Sequence, residues 1–329
     1  MAMKPQLVAL LEAMAALGLK PMHELSPVDA RQQMEEGVRA RDVPTIEVGS
    51  VEDRTIPGPG GEIPVRIYRP EDADGAGSKL GALVYFHGGG HVIGSPDTHD
   101  SVARALCRDA GVLVMSVDYR MGPEAKFPAA VEDSYAATGW LSENADVMGV
   151  DANRIAVGGD SAGGNLALVT SLLARDDADG PAIAFQVLVY PVMDYTGGTP
   201  TYETYGVGYG PLMAATIPWF REHYLNSDAD LADWRASPAR AVTFAGLPPA
   251  LPLSAACDIL AHAGRECAAR PAADGVPREP LDLDGTTHAH FTPAPLPHAS
   301  VAPPKLAAKR LQAASPSTPR PLATPHDTR

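Results

Sequence analysis

The chain has 329 residues, 45% of them hydrophobic, which is enough for one large domain with a substantial core. Its formal net charge of −14 at pH 7 argues against nucleic acid and anionic membranes as partners, because like charges would repel. Its three cysteines are too few and odd in number for a disulfide framework, so we expect reduced thiols and a cytoplasmic location.

Two helices are predicted before the first strand, over residues 5–17 and 27–40. Apolar residues recur at helical spacing in the first of them, and Glu12 interrupts its apolar run. An amphipathic helix is therefore a better interpretation than a signal peptide. No stretch of the chain is long and apolar enough to be predicted as a membrane span.

Strands and helices then alternate along the chain. Strands are predicted over residues 47–55, 62–69, 82–87, 112–118, 154–159, 185–190, 250–256 and 279–283. The same analysis predicts helices near residues 98–109, 128–144 and 162–175. This alternation predicts an α/β fold with a mostly parallel eight-stranded sheet that has helices on both faces.

A glycine-rich segment, His87–Gly90, follows the third predicted strand. Its three glycines leave backbone N–H groups uncovered, and such groups stabilise the negative charge that acyl transfer builds on a carbonyl oxygen. A phosphate-binding loop is the alternative interpretation. It is disfavoured because no Lys-Ser/Thr pair follows and no Gly-x-Gly-x-x-Gly spacing is present.

The segment Gly159–Gly163 reads Gly-Asp-Ser-Ala-Gly and joins a predicted strand to a predicted helix. A turn this sharp strains the backbone of the central residue and brings neighbouring chain close, so glycine is needed two positions either side of Ser161. The serine hydroxyl would then be held out at the end of the sheet. The pattern also occurs by chance, and the glycine-rich segment upstream is what strengthens it.

Together these two motifs resemble those of the hormone-sensitive-lipase-like family of α/β-hydrolases, the bacterial family IV esterases. Further matching segments are Ile93–Ser95, Asp118–Arg120 with Pro123-Glu124, Phe127–Asp133 and Gly246–Ala250. The resemblance runs from about residue 30 to about residue 295. It implies an α/β-hydrolase fold with a helical cap, a Ser-His-Asp triad, an oxyanion loop and activity on short acyl esters, without a cofactor.

In such enzymes the acid and then the base follow the serine along the chain. The resemblance places the acid at Asp258, after the seventh predicted strand, and the base at His288, after the eighth; His290 is the nearby competitor. A turn or helix-cap aspartate is the alternative interpretation of Asp258. The oxyanion donors implied by the family are the amides of Gly88, Gly89 and Ala162.

Three histidines stand where the family has other residues: His91 replaces an aromatic residue after the glycines, and His262 and His290 flank the acid and the base. Ordinary polar or packing roles are expected for them. A metal site of imidazoles is conceivable, but His87 and His91 lie on a glycine loop, where a spacing of four does not align side chains. No metal is expected.

The predicted domain organisation is an N-terminal pair of cap helices in residues 1–45 and a catalytic domain in residues 46–314. A second cap segment is inserted at about 195–235, and residues 315–329 are predicted to be disordered. Candidate pocket residues are His91, Tyr205, Met213 and Trp219. The aromatic residues of the cap could equally pack it onto the core.

The sequence therefore predicts a serine carboxylesterase that acts on a small-molecule ester, with acyl chains of roughly two to eight carbons preferred. Lactones, amides or acetyl groups on sugars are alternative substrates. A binding protein that keeps this fold without its chemistry is the alternative from another class, and it would be expected to lack a triad residue. Homodimers are common in the family, and the sequence leaves the oligomeric state open.

Overall fold

The computed structural model describes residues 3, 5–16, 18–40, 43–71, 79–208, 210–291 and 302–314. Its sheet contains eight strands in the order β1-β2-β4-β3-β5-β6-β7-β8. The strands are β1 Ser50–Gly58, β2 Gly61–Arg69, β3 Leu80–Phe86, β4 Leu113–Val117, β5 Val150–Asp160, β6 Phe185–Val189, β7 Ala250–Ala255 and β8 Leu281–Leu283. The predicted fold class is confirmed, and the largest shift of a strand end is at β5, which begins at Val150 rather than at residue 154.

Most of the sheet is parallel. Strands β1 and β2 form an antiparallel hairpin, and β2 also pairs antiparallel with β4. All other neighbours, from β4 through β3 and β5 to β8, pair in parallel. The carboxyl ends of these parallel strands therefore meet along one edge of the sheet, where open α/β folds place their sites.

Helices cover both faces of the sheet. They are α1 Pro5–Ala16, α2 Pro27–Arg39, α3 Asp100–Ala110, α4 Ala129–Glu143, α5 Ala162–Asp176, α6 Pro200–Tyr205, α7 Thr216–Tyr224, α8 Ala261–Ala273 and α9 Ala302–Ala314. Successive side chains of a strand point to opposite faces, and β3 shows the result. Val84 and Phe86 belong to the core cluster that includes residues of α4 and α5, whereas Leu83 and Tyr85 belong to the cluster that includes residues of α3 and α9.

Helix α8 was not predicted, because its sequence combines charged residues with a glycine and has no clear apolar stripe. Helices α6 and α7 lie inside the segment predicted as a cap insertion, and α1 and α2 lie inside the predicted N-terminal pair. The predicted tail, residues 315–329, lies outside the described residues.

The N-terminal segment contacts the 195–235 segment directly. The indole Nε1 of Trp219 in α7 donates to the carbonyl oxygen of Leu25 at 3.1 Å, just before α2. Helix α2 begins after Ser26, whose hydroxyl accepts the amide of Asp29 as an N-cap. Within the described parts of the chain, no helix is both long enough and apolar enough to cross a membrane.

Candidate active site

Ser161 occupies a strained turn between β5 and α5. Its backbone has φ 55° and ψ −115°, a left-handed conformation that a residue with a side chain rarely adopts. A Cβ added at Gly159 or at Gly163 would overlap the carbonyl oxygen of Phe86 at the end of β3. Only glycine therefore permits this close approach of β5 and α5 to the end of β3, and the turn presents Ser161 at the carboxyl edge of the sheet.

Three side chains from distant parts of the chain form a hydrogen-bonded row at this edge. The Oγ atom of Ser161 lies 2.9 Å from Nε2 of His288, and Nδ1 of His288 lies 2.7 Å from Oδ2 of Asp258. A carboxylate can only accept, so Nδ1 carries the hydrogen and Nε2 is left to accept the serine proton. This tautomer is the one that a general base requires.

The loops after β7 and β8 position the acid and the base. Asp258 is 2% exposed, and its other oxygen accepts the amide of Leu260 at 3.0 Å. The two loops are joined by a hydrogen bond from the amide of Cys257 to the carbonyl oxygen of Thr286 at 2.9 Å. The separation between acid and base is therefore set by backbone contacts as well as by their own hydrogen bond.

His290 is directed elsewhere. Its Nδ1 lies 2.9 Å from the carbonyl oxygen of Thr287, and its ring packs edge-on against Tyr190. Ala289, between the two histidines, has φ 65°, so the chain turns there and the two side chains do not point the same way. Because of that turn, only His288 faces Ser161.

The glycine loop after β3 lies beside the serine turn, but its amides differ in their partners. The N–H of Gly88 donates to Oδ1 of Asp160 at 3.1 Å, which leaves this predicted oxyanion donor engaged by a side chain. No hydrogen bond to the amide of Gly89 is found among the described residues, whereas the backbone of Ala162 interacts with the buried ring of His91. Ala162 is the first residue of α5, where helical amides lack intrahelical partners.

A family model of the alpha/beta hydrolase fold matches residues 83–292, a segment that contains the serine turn and both loops just described. A carboxylic ester hydrolase of Mycobacterium tuberculosis, LipN, is 44% identical over 266 residues, which are 79% of this chain and 69% of that protein. The chain belongs to the hormone-sensitive-lipase-like family of α/β-hydrolases.

One further relative and two solved structures support the same family assignment. An ethyl acetate hydrolase of Pseudomonas putida is 39% identical over 295 residues, covering 88% of this chain and 92% of that protein. A solved thermostable esterase from Pseudomonas putida matches with a TM-score of 0.89 and 33% identity over 95% of this chain and 97% of its own. A hyperthermophilic esterase from the archaeon Pyrobaculum calidifontis matches with a TM-score of 0.87, 38% identity, and coverage of 95% and 99%. The hydrolase is a carboxylic ester hydrolase.

His91, predicted as a pocket residue, lies in a fully buried aromatic cluster of this hydrolase. Its side chain is 0% exposed, its Nδ1 lies 2.6 Å from the hydroxyl of Tyr195, and its ring stacks on Tyr224 at 4.0 Å. Burial lowers the pKa of His91 to about 3, so the imidazole is neutral. A side chain with no exposed surface packs the loop rather than contacting substrate in this conformation, which supports the packing alternative.

The remaining predicted pocket residues lie in the 195–235 segment. Trp219 is buried and bonded to Leu25, so its contacts also support a packing role. Tyr205 and Met213 are half-buried. Phe220 in α7 touches the oxyanion loop, since a Cβ added at Gly90 would overlap its ring.

A cavity of about 260 Å³ lies beside α2, away from the serine, and is lined by Arg31, Asp118, Tyr119, Arg120, Met121, Glu124 and Ala125. The guanidinium groups of Arg31 and Arg120 in this cavity are already paired, with Glu124 and with Asp133 respectively.

Among the residues that the structure describes, no group of three or more His, Cys, Asp or Glu side chains is placed to hold a metal ion.

Asp160 is the site residue that sequence reasoning missed. It lies between Gly159 and Ser161, and its buried carboxylate receives the hydroxyl of Tyr85 at 2.6 Å as well as the amide of Gly88. The signal was its position inside the Gly-x-Ser-x-Gly motif, where a largely buried acidic residue must find partners.

Proposed function

We propose that the hydrolase is a serine esterase of short-chain acyl esters, with Ser161 as nucleophile, His288 as base and Asp258 as the orienting acid. The continuous row of hydrogen bonds from Ser161 Oγ through His288 to Asp258, at 2.9 and 2.7 Å, carries this proposal. A free hydroxyl is a weak nucleophile at neutral pH, and an adjacent base with its own orienting carboxylate activates it.

The reaction would proceed in two halves. Ser161 Oγ attacks the ester carbonyl while its proton moves to Nε2 of His288, and the resulting tetrahedral intermediate expels the alcohol, which takes that proton. Water then attacks the acyl-enzyme, giving its proton to Nε2. Collapse of the second intermediate releases the carboxylic acid and returns the proton to Ser161 Oγ. Asp258 stabilises the imidazolium formed in each half without taking its proton.

The negative charge on the carbonyl oxygen would be received by the amides of Gly89 and Ala162. The Gly89 amide has no other partner among the described residues, and Ala162 directly follows Ser161 at the start of α5. One such donor is worth about 3–4 kcal/mol of transition-state stabilisation. Gly88, the third donor expected from the family, would serve instead to fix the loop, because its amide is paired with Asp160.

Two observations support a preference for short acyl chains. Cap residue Phe220 packs directly against the oxyanion loop at Gly90, which restricts the space above the serine, and Ser161 is only 8% exposed. The relative from Pseudomonas putida is named for the hydrolysis of ethyl acetate, an ester with a two-carbon acyl group. We propose acyl chains of roughly two to eight carbons as substrates, the size that such a pocket would enclose.

The nucleophile is tested by Ser161→Ala. Turnover of p-nitrophenyl butyrate should fall by roughly 10⁶-fold, as for the serine of subtilisin, and labelling by a fluorophosphonate should disappear. Ser171→Ala is the matched control, because it removes a buried serine hydroxyl from α5, the helix that follows Ser161, and this hydroxyl donates to the Ala167 carbonyl. Labelling or near-full hydrolysis by the Ser161→Ala variant would contradict the proposal.

Two finer predictions accompany this function. We expect a cytoplasmic location, on the basis of the cysteine count and charge, and cell fractionation tests it. We also expect a homodimer, as is common in the family, and light scattering of the purified protein tests that expectation.

A further inference from the structure

Two consecutive peptide groups at the start of the oxyanion loop are held by side chains. In the first, between His87 and Gly88, the carbonyl oxygen accepts the hydroxyl of Tyr119 at 2.7 Å and the N–H donates to Asp160 Oδ1 at 3.1 Å. In the second, between Gly88 and Gly89, the carbonyl oxygen lies 2.8 Å from Nδ1 of His87. The next polar group along the chain is the amide of Gly89.

Because a peptide group is planar, these contacts determine the direction in which the Gly89 N–H points. In a trans peptide the C=O and N–H bonds point in opposite directions, so holding the carbonyl oxygen of Gly88 on one side aims the Gly89 N–H to the other. Glycines have a wide choice of backbone conformations, and the loop would otherwise be free to rotate. Gly89 itself has φ 122°, a conformation that other residues rarely adopt.

The buried side chain of His87 supplies the donor for the Gly88 carbonyl oxygen. Its ring is fully buried and stacks on Tyr119 with centroids 4.4 Å apart. Burial lowers the pKa of His87 to about 3, so a neutral imidazole with hydrogen on Nδ1 donates to the Gly88 carbonyl. The same Tyr119 thus packs against His87 and bonds to its backbone.

Asp160 connects this loop to the nucleophile. It ends β5 and is covalently joined to Ser161, while its Oδ1 reaches across to the Gly88 amide, 72 residues earlier in the chain. Tyr85 donates to the same oxygen, and His99 Nε2 lies 3.5 Å from it. Burial raises the pKa of the Asp160 carboxyl, but the interactions with His99 and Tyr85 outweigh it and hold that pKa below its usual value.

We propose that Asp160 and Tyr119 are positioning residues for the oxyanion site: by holding the two ends of the His87–Gly88 peptide they fix the start of the loop, so that the contact of His87 with the Gly88 carbonyl aims the Gly89 amide at the developing charge beside Ser161. The proposal rests on the proposed function, in which Gly89 receives that charge. Asp160 has the larger effect, because it joins the loop directly to the residue that carries the reaction.

The test compares Asp160→Ala, Asp160→Asn and Tyr119→Phe for turnover and for inhibition by a trifluoromethyl ketone. This inhibitor forms a tetrahedral adduct with the serine, and its oxyanion needs the same donors as the transition state. Misplacement of a catalytic group by about 1 Å costs on the order of 100-fold, so Asp160→Ala should lower kcat by about 30- to 100-fold with KM changed less than about threefold. The inhibition constant should rise by a similar factor.

The other two variants refine the test. Asn keeps an oxygen that can accept the Gly88 amide, so Asp160→Asn should stay within about fivefold of the parent. Tyr119→Phe removes a single oxygen and should lower kcat by about three- to tenfold, with the same rise in the inhibition constant. If Asp160→Ala fails to fold, Tyr119→Phe decides the matter. Tyr68→Phe is the control, because it removes a buried tyrosine hydroxyl bonded to Asp100, away from the serine.

Unchanged inhibition by the trifluoromethyl ketone in Asp160→Ala, or in Tyr119→Phe where the first does not fold, would overturn the inference, even if turnover fell. That result would assign the two residues to stability alone. It is distinguishable from failure of the proposed function, which would appear as residual hydrolysis and labelling in Ser161→Ala. Activity lost equally in Tyr68→Phe would also count against a positioning role.

Discussion

The Nδ1 atom of His288 lies 2.7 Å from Oδ2 of Asp258, whereas the Nδ1 atom of His290, two residues later, faces the carbonyl oxygen of Thr287. His288→Ala should therefore lose at least about a thousandfold in kcat, as expected for a triad residue. His290→Ala removes a ring that faces the Thr287 carbonyl and packs on Tyr190, and it should lose less than about tenfold. Steady-state hydrolysis of p-nitrophenyl acetate measures both, and the reverse order of losses would require a different loop alignment.

A panel of p-nitrophenyl esters of increasing acyl length tests the size of the pocket. Acyl chains of roughly two to eight carbons should show the highest kcat/KM, because the cap packs onto the oxyanion loop through Phe220. Phe220→Ala should shift the preference toward longer chains. Interfacial activation on an emulsified long-chain triglyceride would contradict the prediction.

Two glycine-to-alanine substitutions should change stability in opposite directions. At Gly163 an added Cβ would overlap the backbone oxygen of Phe86, so Gly163→Ala should destabilise the protein by several kcal/mol or prevent folding. At Gly139 in α4 nothing among the described residues lies within 4 Å of an added Cβ. Gly139→Ala should stabilise the protein by about 0.5–1 kcal/mol, through helix propensity and a less flexible unfolded chain. Urea unfolding measures both, and similar effects at the two positions would contradict the argument.

The low pKa values of two buried histidines predict that the folded protein loses stability in mild acid. The pKa values of His87 and His91 are about 3 in the folded protein, against 6.5 for an unperturbed imidazole. Between these values the unfolded chain binds protons that the folded protein does not, so the free energy of unfolding rises with pH across this window and falls on acidification. At pH 5 the loss should be about 2 kcal/mol for each histidine.

Replacement of His91 isolates one of these contributions. Phenylalanine can keep the stacking on Tyr224 but binds no proton, so the His91→Phe variant should lose about 2 kcal/mol less than the parent between pH 7 and pH 5. Urea unfolding at several pH values measures the difference. An identical acid response in the two proteins would show that His91 does not carry the predicted proton linkage.

The local sequence pattern was sufficient to predict the fold class and the serine turn. The central parallel strands β3, β4, β6 and β7 are short apolar runs, and burial of both faces of a parallel sheet requires such runs, so the fold class follows from the sequence. The serine turn was predictable for a related reason. Its geometry depends on glycines within two residues of Ser161, and glycine is the residue that close backbone approach demands.

The tertiary structure alone decided which polar groups are paired. Gly88 and Asp160 are 72 residues apart, and no local pattern indicates that this amide is taken by that carboxylate. Likewise, the left-handed turn at Ala289 separates His288 from His290, and the tyrosines around His91 come from distant segments. Hydrogen bonds and burial of this kind depend on the distances between segments after folding. Sequence spacing determines those distances only within a single helix, strand or turn. The sequence therefore shows which residues are suited to the site, and the packed structure determines which of them come into contact.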